Sequence, residues 1–291
     1  MRMVILTIAR LTLREAVRRR LVLAVFILTI LLAILSGWAF HKLIGLPCGD
    51  NGRIHACSVA DQKLLGATLL ILLGFMFSFV LAVGAAFLGA PALWADMESG
   101  ILLAMLPRPI RRGDVLLGKW LGLAVLVAGY TAIACGMEML ISSFTLNYVP
   151  PHPVIAIAFI SAEALVLLSL AIACSTRVSS MASGIVIILL FGVAWMGGMA
   201  GEVGAIRHSQ TIENVGTVSS LLLPTDGLWR GAIYNLEPVT LVLVQREFSN
   251  YAAGNPFFVE NAPSGPYLLW AGGWTIAALL IGIWSFSKKE L

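Results

Sequence analysis

The feature that most constrains this chain is a set of long apolar segments, each able to cross a lipid bilayer as a helix. A spanning helix needs about 20 apolar residues, because the hydrocarbon core of a bilayer is about 30 Å thick. Six segments meet this requirement: 21–40, 64–93, 117–144, 154–174, 181–200 and 266–286. They predict an all-α integral membrane protein with six transmembrane helices.

The composition supports this interpretation. Hydrophobic residues make up 59% of the 291 residues and charged residues 12%, while soluble domains contain about 25% charged residues. Such a chain cannot cover a globular surface with polar groups, so we expect membrane lipid to cover most of it. No surface that combines basic and aromatic residues occurs away from the predicted spans, and we therefore expect no nucleic-acid partner.

The distribution of Lys and Arg predicts which loops are cytoplasmic, because cytoplasmic loops are enriched in these residues. Thirteen of the nineteen basic residues lie before span one, between spans two and three or at the start of span three, between spans four and five, or after span six. The opposite loops contain the other six. Both termini and the loop between spans two and three are therefore predicted to be cytoplasmic.

Residues 1–20 carry an arginine at every fourth position from Arg10 to Arg18, with apolar residues largely on the other side. This spacing predicts an amphipathic interface helix on the inner leaflet, with its arginines at the level of the lipid phosphates. The alternative is a plain basic flank. The apolar run that follows is longer than a usual signal-peptide core and lacks a small-x-small cleavage site, so we expect it to be retained.

A segment of about 65 residues, 201–265, separates spans five and six and is predicted to be extracytoplasmic. Within it, Pro224-Thr225-Asp226 is typical of a helix start. We expect an interfacial or re-entrant helix over Thr225–Tyr234, with the aromatic side chains of Trp229 and Tyr234 at the bilayer surface.

Two cysteines, Cys48 and Cys57, lie in the first predicted outer loop. An extracytoplasmic pair at this spacing is a candidate disulfide. Free thiols, or a soft-metal site formed with His41 and His55, are the alternatives. The spacing matches no established zinc pattern, and we expect no resident metal.

Two carboxylates fall inside predicted spans, Glu138 on the third and Glu163 on the fourth. Acids within a membrane are costly when charged and should face protein or water. One hypothesis is a pathway for a polar substrate or for protons. The other is a protonated, hydrogen-bonded contact between helices. An ion- or proton-coupled secondary transporter using both residues is the alternative function, although such transporters have internal repeats and broken spans that are not evident here.

Catalytic motifs are absent from the sequence. It contains no Gly-x-x-x-x-Gly-Lys-Ser/Thr loop for nucleotide phosphates, no His-Glu-x-x-His and no Gly-x-Ser-x-Gly. We therefore expect no catalytic residue and no cofactor. If this protein uses ATP, another polypeptide binds it.

A polar segment, 94–116, interrupts the apolar pattern between spans two and three. Its prolines end a short apolar helix, because a proline inside a helix removes a hydrogen bond and clashes with the preceding turn. Arginines follow them. This layout predicts a short cytoplasmic helix onto which a partner protein docks. The residues that we expect to form the docking site are Glu98, Gly100, Leu103, Leu106, Pro109, Arg111 and Arg112.

The pattern Glu98-x-Gly100, Leu106, Pro109-Ile110, Arg112 and Gly118-Lys119 resembles the coupling loop of ABC-2 type transporter permeases, the membrane subunits of ATP-binding-cassette exporters. Leu13-Arg14-Glu15 followed by Arg18-Arg19-Arg20 resembles the entry helix of that family. The resemblance implies one permease domain over 1–291, in the cell inner membrane, usually as a homodimer. It also implies two cytoplasmic ABC ATPase subunits, whose closure moves the segment 94–116 and hence the spans.

Overall fold

A computed structural model of the protein describes residues 2–18, 20–44, 48–50, 53–55, 59–100, 111–237, 259 and 261–289. Within them the chain forms helices joined by short connections, and one small hairpin. The helices are α1 (Arg2–Val17), α2 (Arg20–Ile44), α3 (Val59–Gly89), α4 (Pro91–Glu98), α5 (Arg112–Leu146), α6 (Pro153–Ser175), α7 (Ser180–Ile206), α8 (Gln210–Leu222), α9 (Thr225–Leu236) and α10 (Gly265–Ser287).

The prediction of six spans is confirmed by helix length and composition. The candidate spans are Val22–Lys42, Leu65–Glu98, Arg112–Leu146, Pro153–Ser175, Ser180–Ala205 and Gly265–Ser287. The second and third are longer than predicted at the ends that flank the polar segment. The reason is that helical backbone continues through polar residues, which an apolar window excludes: α4 reaches Glu98 and α5 begins at Arg112.

Helix α6 lies at the centre of the bundle and contacts α3, α5, α7, α9 and α10. Its side chains are buried on several sides, including Ile160, Leu167 and Ile172. Small residues let α3 approach it closely, since a Cβ atom at Gly89 would lie 2.6 Å from that of Ala171. A helix enclosed in this way must be apolar around its whole circumference, which explains why α6 shows no polar face.

Helix α1 packs along α5, and its position on the inner leaflet stays a prediction. The side chains of Arg10, Arg14 and Arg18 are exposed, whereas Ala9 and Ala16 are buried. The contact depends on two glycines of α5: a Cβ at Gly118 would lie 2.7 Å from the Cβ of Ile8, and one at Gly122 would lie 2.5 Å from the carbonyl oxygen of Ala9. Spacing of small residues by four permits such close helix crossings.

The segment after the fifth span folds back on itself. Helix α7 extends to Ile206, and α8 returns along it with Gly201 and Gly216 in contact, since a Cβ at Gly201 would lie 2.9 Å from the Cα of Gly216. Helix α9 begins at Thr225, as predicted. Residues 238–258 of this segment lie outside the described residues.

The expectation that the aromatic residues of α9 lie at the bilayer surface is wrong for Trp229. Its side chain is buried, and its ring centroid is 5.8 Å from that of Phe75 on α3. The reason is that α9 packs against α6, where Gly231 lies against the ring of Phe159, and this contact turns the apolar face of α9 into the bundle. Tyr234 is partly exposed.

The first predicted outer loop contains a two-stranded antiparallel hairpin, β1 (Cys48–Asp50) with β2 (Arg53–His55). Its register pairs Cys48 with His55 and Asp50 with Arg53. Cys57 lies outside the described residues, so the disulfide with Cys48 stays a prediction.

Candidate coupling site

The two flanks of the polar segment are the end of α4 and the start of α5. Glu98, the last residue of α4, is exposed, and so is Arg111, which precedes α5. Leu103, Leu106 and Pro109 lie between the flanks and outside the described residues. Two of the predicted docking charges are therefore solvent-facing, one on either side of 101–110.

Gly100 ends α4 because its backbone adopts a left-handed conformation, with φ +71°. Its amide donates a hydrogen bond to the carbonyl of Met97 at 3.2 Å, and Ser99 donates to the carbonyl of Ala95 at 3.0 Å. Glycine reaches positive φ without the steric cost that a Cβ atom imposes, and it is the usual residue just after a helix end. Gly100 thus has a local structural role at the end of α4, and its part in docking stays a prediction.

Lys119 joins the two flanks. Its ammonium group forms an ion pair with Asp96 of α4 and donates a hydrogen bond to the carbonyl of Ala92 at 2.5 Å. Only 9% of Lys119 is exposed. A charged, hydrogen-bonded contact with little access to water fixes geometry more firmly than a surface ion pair does. The end of α4 and the start of α5 are therefore linked by a contact that the sequence prediction did not include.

Arg112 binds the end of the last helix. Its Nη1 donates to the carbonyls of Phe286 at 3.1 Å, Ser287 at 3.3 Å and Lys289 at 2.5 Å. The final carbonyls of a helix carry partial negative charge and lack partners within the helix. The guanidinium of Arg112 therefore has a clear role inside this chain. Arg111, whose side chain is exposed, is the better placed of the two arginines to meet a partner protein.

The connection between α6 and α7 also contacts the end of α10, to which Arg112 binds. Arg177 donates from Nε to the hydroxyl of Ser285 at 2.9 Å, and Lys289 donates to the carbonyl of Thr176 at 3.0 Å. The ammonium of Lys289 lies 4.5 Å from the ring centroid of Trp94 on α4. Burial and the nearby charge of Arg177 lower the pKa of Lys289. Basic residues from several predicted cytoplasmic segments thus converge at one end of the bundle.

The intramembrane acids Glu138 and Glu163 do not meet in one site. Glu138 accepts a hydrogen bond from the hydroxyl of Ser36 on α2 at 2.8 Å, and Glu163 accepts one from Ser78 on α3 at 2.7 Å. Both are almost fully buried, and neither lines the cavity described next. This arrangement favours the hypothesis of hydrogen-bonded helix contacts over that of a shared pathway.

A polar cavity of about 380 Å³ opens at the other end of the bundle, between α7, α8, α9 and the start of α10. Arg230 lies in its wall, where Nε donates to Asp226 at 2.7 Å, Nη2 donates to the carbonyl of Gly198 at 3.1 Å and Nη1 pairs with Glu202. Burial raises the pKa of Asp226 although Arg230 opposes the shift. The sequence signal that was missed is the Asp226–Arg230 spacing of four, which brings opposite charges together on one helix face.

The sequence is similar to a family of membrane transporters over nearly its whole length. The family model described as "ABC-2 family transporter protein" matches residues 6–291. A stretch of 138 residues is 30% identical to a protein of Pseudomonas aeruginosa described as "Probable ABC transporter permease protein NosY". That alignment covers 47% of this chain and 45% of the relative, about half the length of each. This multi-pass membrane protein belongs to the ABC-2 transporter family.

Proposed function

We propose that this chain is the transmembrane permease subunit of an ABC transporter in the cell inner membrane. It has no catalytic role of its own, and a separate cytoplasmic ATPase drives it to export a substrate or to transmit force across the membrane. The observation that carries the proposal is the fixed base of the polar segment: Lys119 ties α4 to α5, while the charges of Glu98 and Arg111 face solvent on either side of 101–110.

This arrangement supports docking because Lys119 links the two flanks that carry the exposed charges. A partner that moves either flank would therefore also move the end of a membrane span. Glu98 and Arg111 carry opposite charges, and such groups at the rim of an interface mainly set orientation and association rate. In this proposal Leu103 and Leu106 are the apolar residues that the partner contacts, and Pro109 belongs to the same predicted site.

A second copy of the permease is part of the proposal. Helices α2 and α7 leave long rows of apolar side chains exposed, among them Ile27, Ile34, Ile185 and Leu189. Lipid can cover such rows, and so can the same helices of a second copy. A homodimer would present two copies of the polar segment 94–116, hereafter the coupling segment, to two ATPase subunits.

The alternative function is a secondary transporter that uses Glu138 and Glu163. The contacts favour it less, since each carboxylate binds a serine hydroxyl on a neighbouring helix. Replacing both acids with glutamine should preserve these hydrogen bonds. An ATP-driven permease is expected to keep most of its activity after that change, whereas an ion-coupled transporter should lose its ion dependence.

The direct test is co-expression with candidate cytoplasmic ATPases, followed by co-purification and measurement of ATP hydrolysis. Glu98→Ala and Arg111→Ala are expected to weaken ATPase binding. Glu213→Ala and Arg207→Ala are the matched controls, because they remove exposed charges from the opposite end of the bundle. The proposal is wrong if no ATPase binds the wild-type chain, or if the control variants weaken binding as much as the docking variants do.

A further inference from the structure

Helix α10 has hydrogen-bonded contacts at both of its ends, and these contacts connect different parts of the protein. At its inner end, the last residues of α10 and the tail bind Arg112 at the start of α5 and Arg177 in the connection between α6 and α7. Lys289 also lies against Trp94 of α4. The end of α10 is therefore held by both flanks of the coupling segment.

At its outer end, α10 binds the last turn of α8. The hydroxyl of Tyr267 donates to the carbonyl of Ser220 at 3.3 Å, and the indole nitrogen of Trp270 donates to the carbonyl of Leu221 at 3.1 Å. The ring of Tyr267 also packs directly against Gly227 of α9, where a Cβ atom would overlap it. Tyr267 lines the polar outer cavity, so α10 forms part of the cavity wall.

Between these ends α10 is a continuous helix of 23 residues. At 1.5 Å per residue it spans about 34 Å, a distance over which a regular helix transmits axial displacement better than a loop. One side of its middle has few packing contacts, since no heavy atom lies within 4 Å of the Cβ position of Gly272 or Gly273. Ile276 and Leu280 are exposed there. The hydrogen bonds that fix α10 to other elements are concentrated at its ends.

We propose that α10 transmits displacement of the coupling segment to the walls of the outer cavity. Arg112 is the positioning residue at the inner end, and Tyr267 and Trp270 are the positioning residues at the outer end. This inference rests on the proposed function, because it assigns the route by which ATPase-driven movement reaches the outer face. It adds a physical prediction that can be tested without the ATPase: loosening the inner end should alter the outer cavity wall.

The test is amide hydrogen exchange, measured by mass spectrometry on the full chain in lipid nanodiscs. Arg112→Ala removes the inner contact, and Arg111→Ala is the matched control because it removes a neighbouring exposed arginine. Exchange in α8 reports on the cavity wall. Exchange in 147–152, the connection between α5 and α6 at the same end of the bundle, reports on general loosening.

Arg112→Ala is expected to raise exchange in α8 by about 2- to 30-fold, the range that mutations along coupled networks produce, and to leave 147–152 unchanged. Arg111→Ala is expected to change neither. In a Tyr267→Phe/Trp270→Phe background, which detaches α10 from α8, Arg112→Ala should add less than about a twofold further increase. Should Arg112→Ala fail to fold, Arg112→Lys keeps the charge, loses the planar fork and should give a smaller effect of the same sign.

Three results would overturn the inference: unchanged exchange in α8, a parallel rise in α8 and 147–152, or an equal effect of Arg112→Ala in both backgrounds. None of these measurements includes an ATPase. Failure of the ATPase to bind would therefore refute the proposed function and leave the connection through α10 standing, whereas a null exchange result would refute the connection alone.

Discussion

Lys119→Met tests how the coupling segment is held, because the ammonium of Lys119 is the charged contact between α5 and α4. The substitution removes the ion pair with Asp96 and the hydrogen bond to Ala92. Breaking one partner of a fully buried pair costs about 3–5 kcal/mol. The side chains here are 11% and 17% exposed, so water can partly solvate the remaining carboxylate, and we expect a loss of about 2–3 kcal/mol in unfolding free energy.

A second variant separates the effect of leaving Asp96 unpaired on stability from the effect of changed packing. In Lys119→Met/Asp96→Leu both charges are replaced by apolar groups, an exchange that is often neutral for buried pairs, so its stability should be within about 1 kcal/mol of wild type. The measurement is unfolding in mixed micelles followed by tryptophan fluorescence, with the exposed Lys42→Met as control. The reasoning is refuted if Lys119→Met is as stable as Lys42→Met, or if the double variant is no more stable than Lys119→Met.

Three further predictions follow from particular contacts. Gly118→Val should cost about 1–3 kcal/mol by overpacking the crossing of α1 and α5, seen as faster proteolysis of α1, whereas Gly129→Val should be tolerated because no heavy atom lies within 4 Å of its Cβ position. Burial raises the pKa of Glu237 to about 8, above its unfolded value near 4.3, so stability should fall as pH rises between these values, by at most about 1.4 kcal/mol per pH unit. Glu237→Gln should flatten that slope in a series of thermal unfolding curves. Cys48 and Cys57 should react with an alkylating reagent only after reduction, and a mass shift without prior reduction would rule out their disulfide.

The spans could be predicted from the sequence because residues that face lipid must be apolar. An apolar run of sufficient length is a local property, and so is the proline-threonine-aspartate start of α9 at Thr225. The sequence also predicts that the basic segments lie at the same end of the bundle, since positive charge is costly to carry across a membrane. Arg112, Arg177 and Lys289 indeed lie together.

The partners of individual side chains could not be predicted, because they depend on which helices become neighbours. The sequence predicts that Arg112 is a charge in a docking segment but does not reveal that the end of α10 lies beside it. Trp229 was expected at the bilayer surface since aromatic residues are common there, yet the packing of α9 on α6 buries it. The hairpin at Cys48–His55 was also missed, although Asn51-Gly52 between its strands is the usual signal for a tight hairpin turn.

The contact between Arg112 and the end of α10 also has a consequence for biosynthesis. The bonded residues are separated by 174 to 177 positions along the chain, whereas α7 and α8 are neighbours that can pair as soon as both have been made. A nascent chain therefore contains the segment 94–116 long before the residues that bind the start of α5 leave the ribosome. The start of α5 acquires these contacts only when synthesis of α10 is complete, so the ATPase that we propose, if it requires the finished geometry, would bind only chains that contain α10.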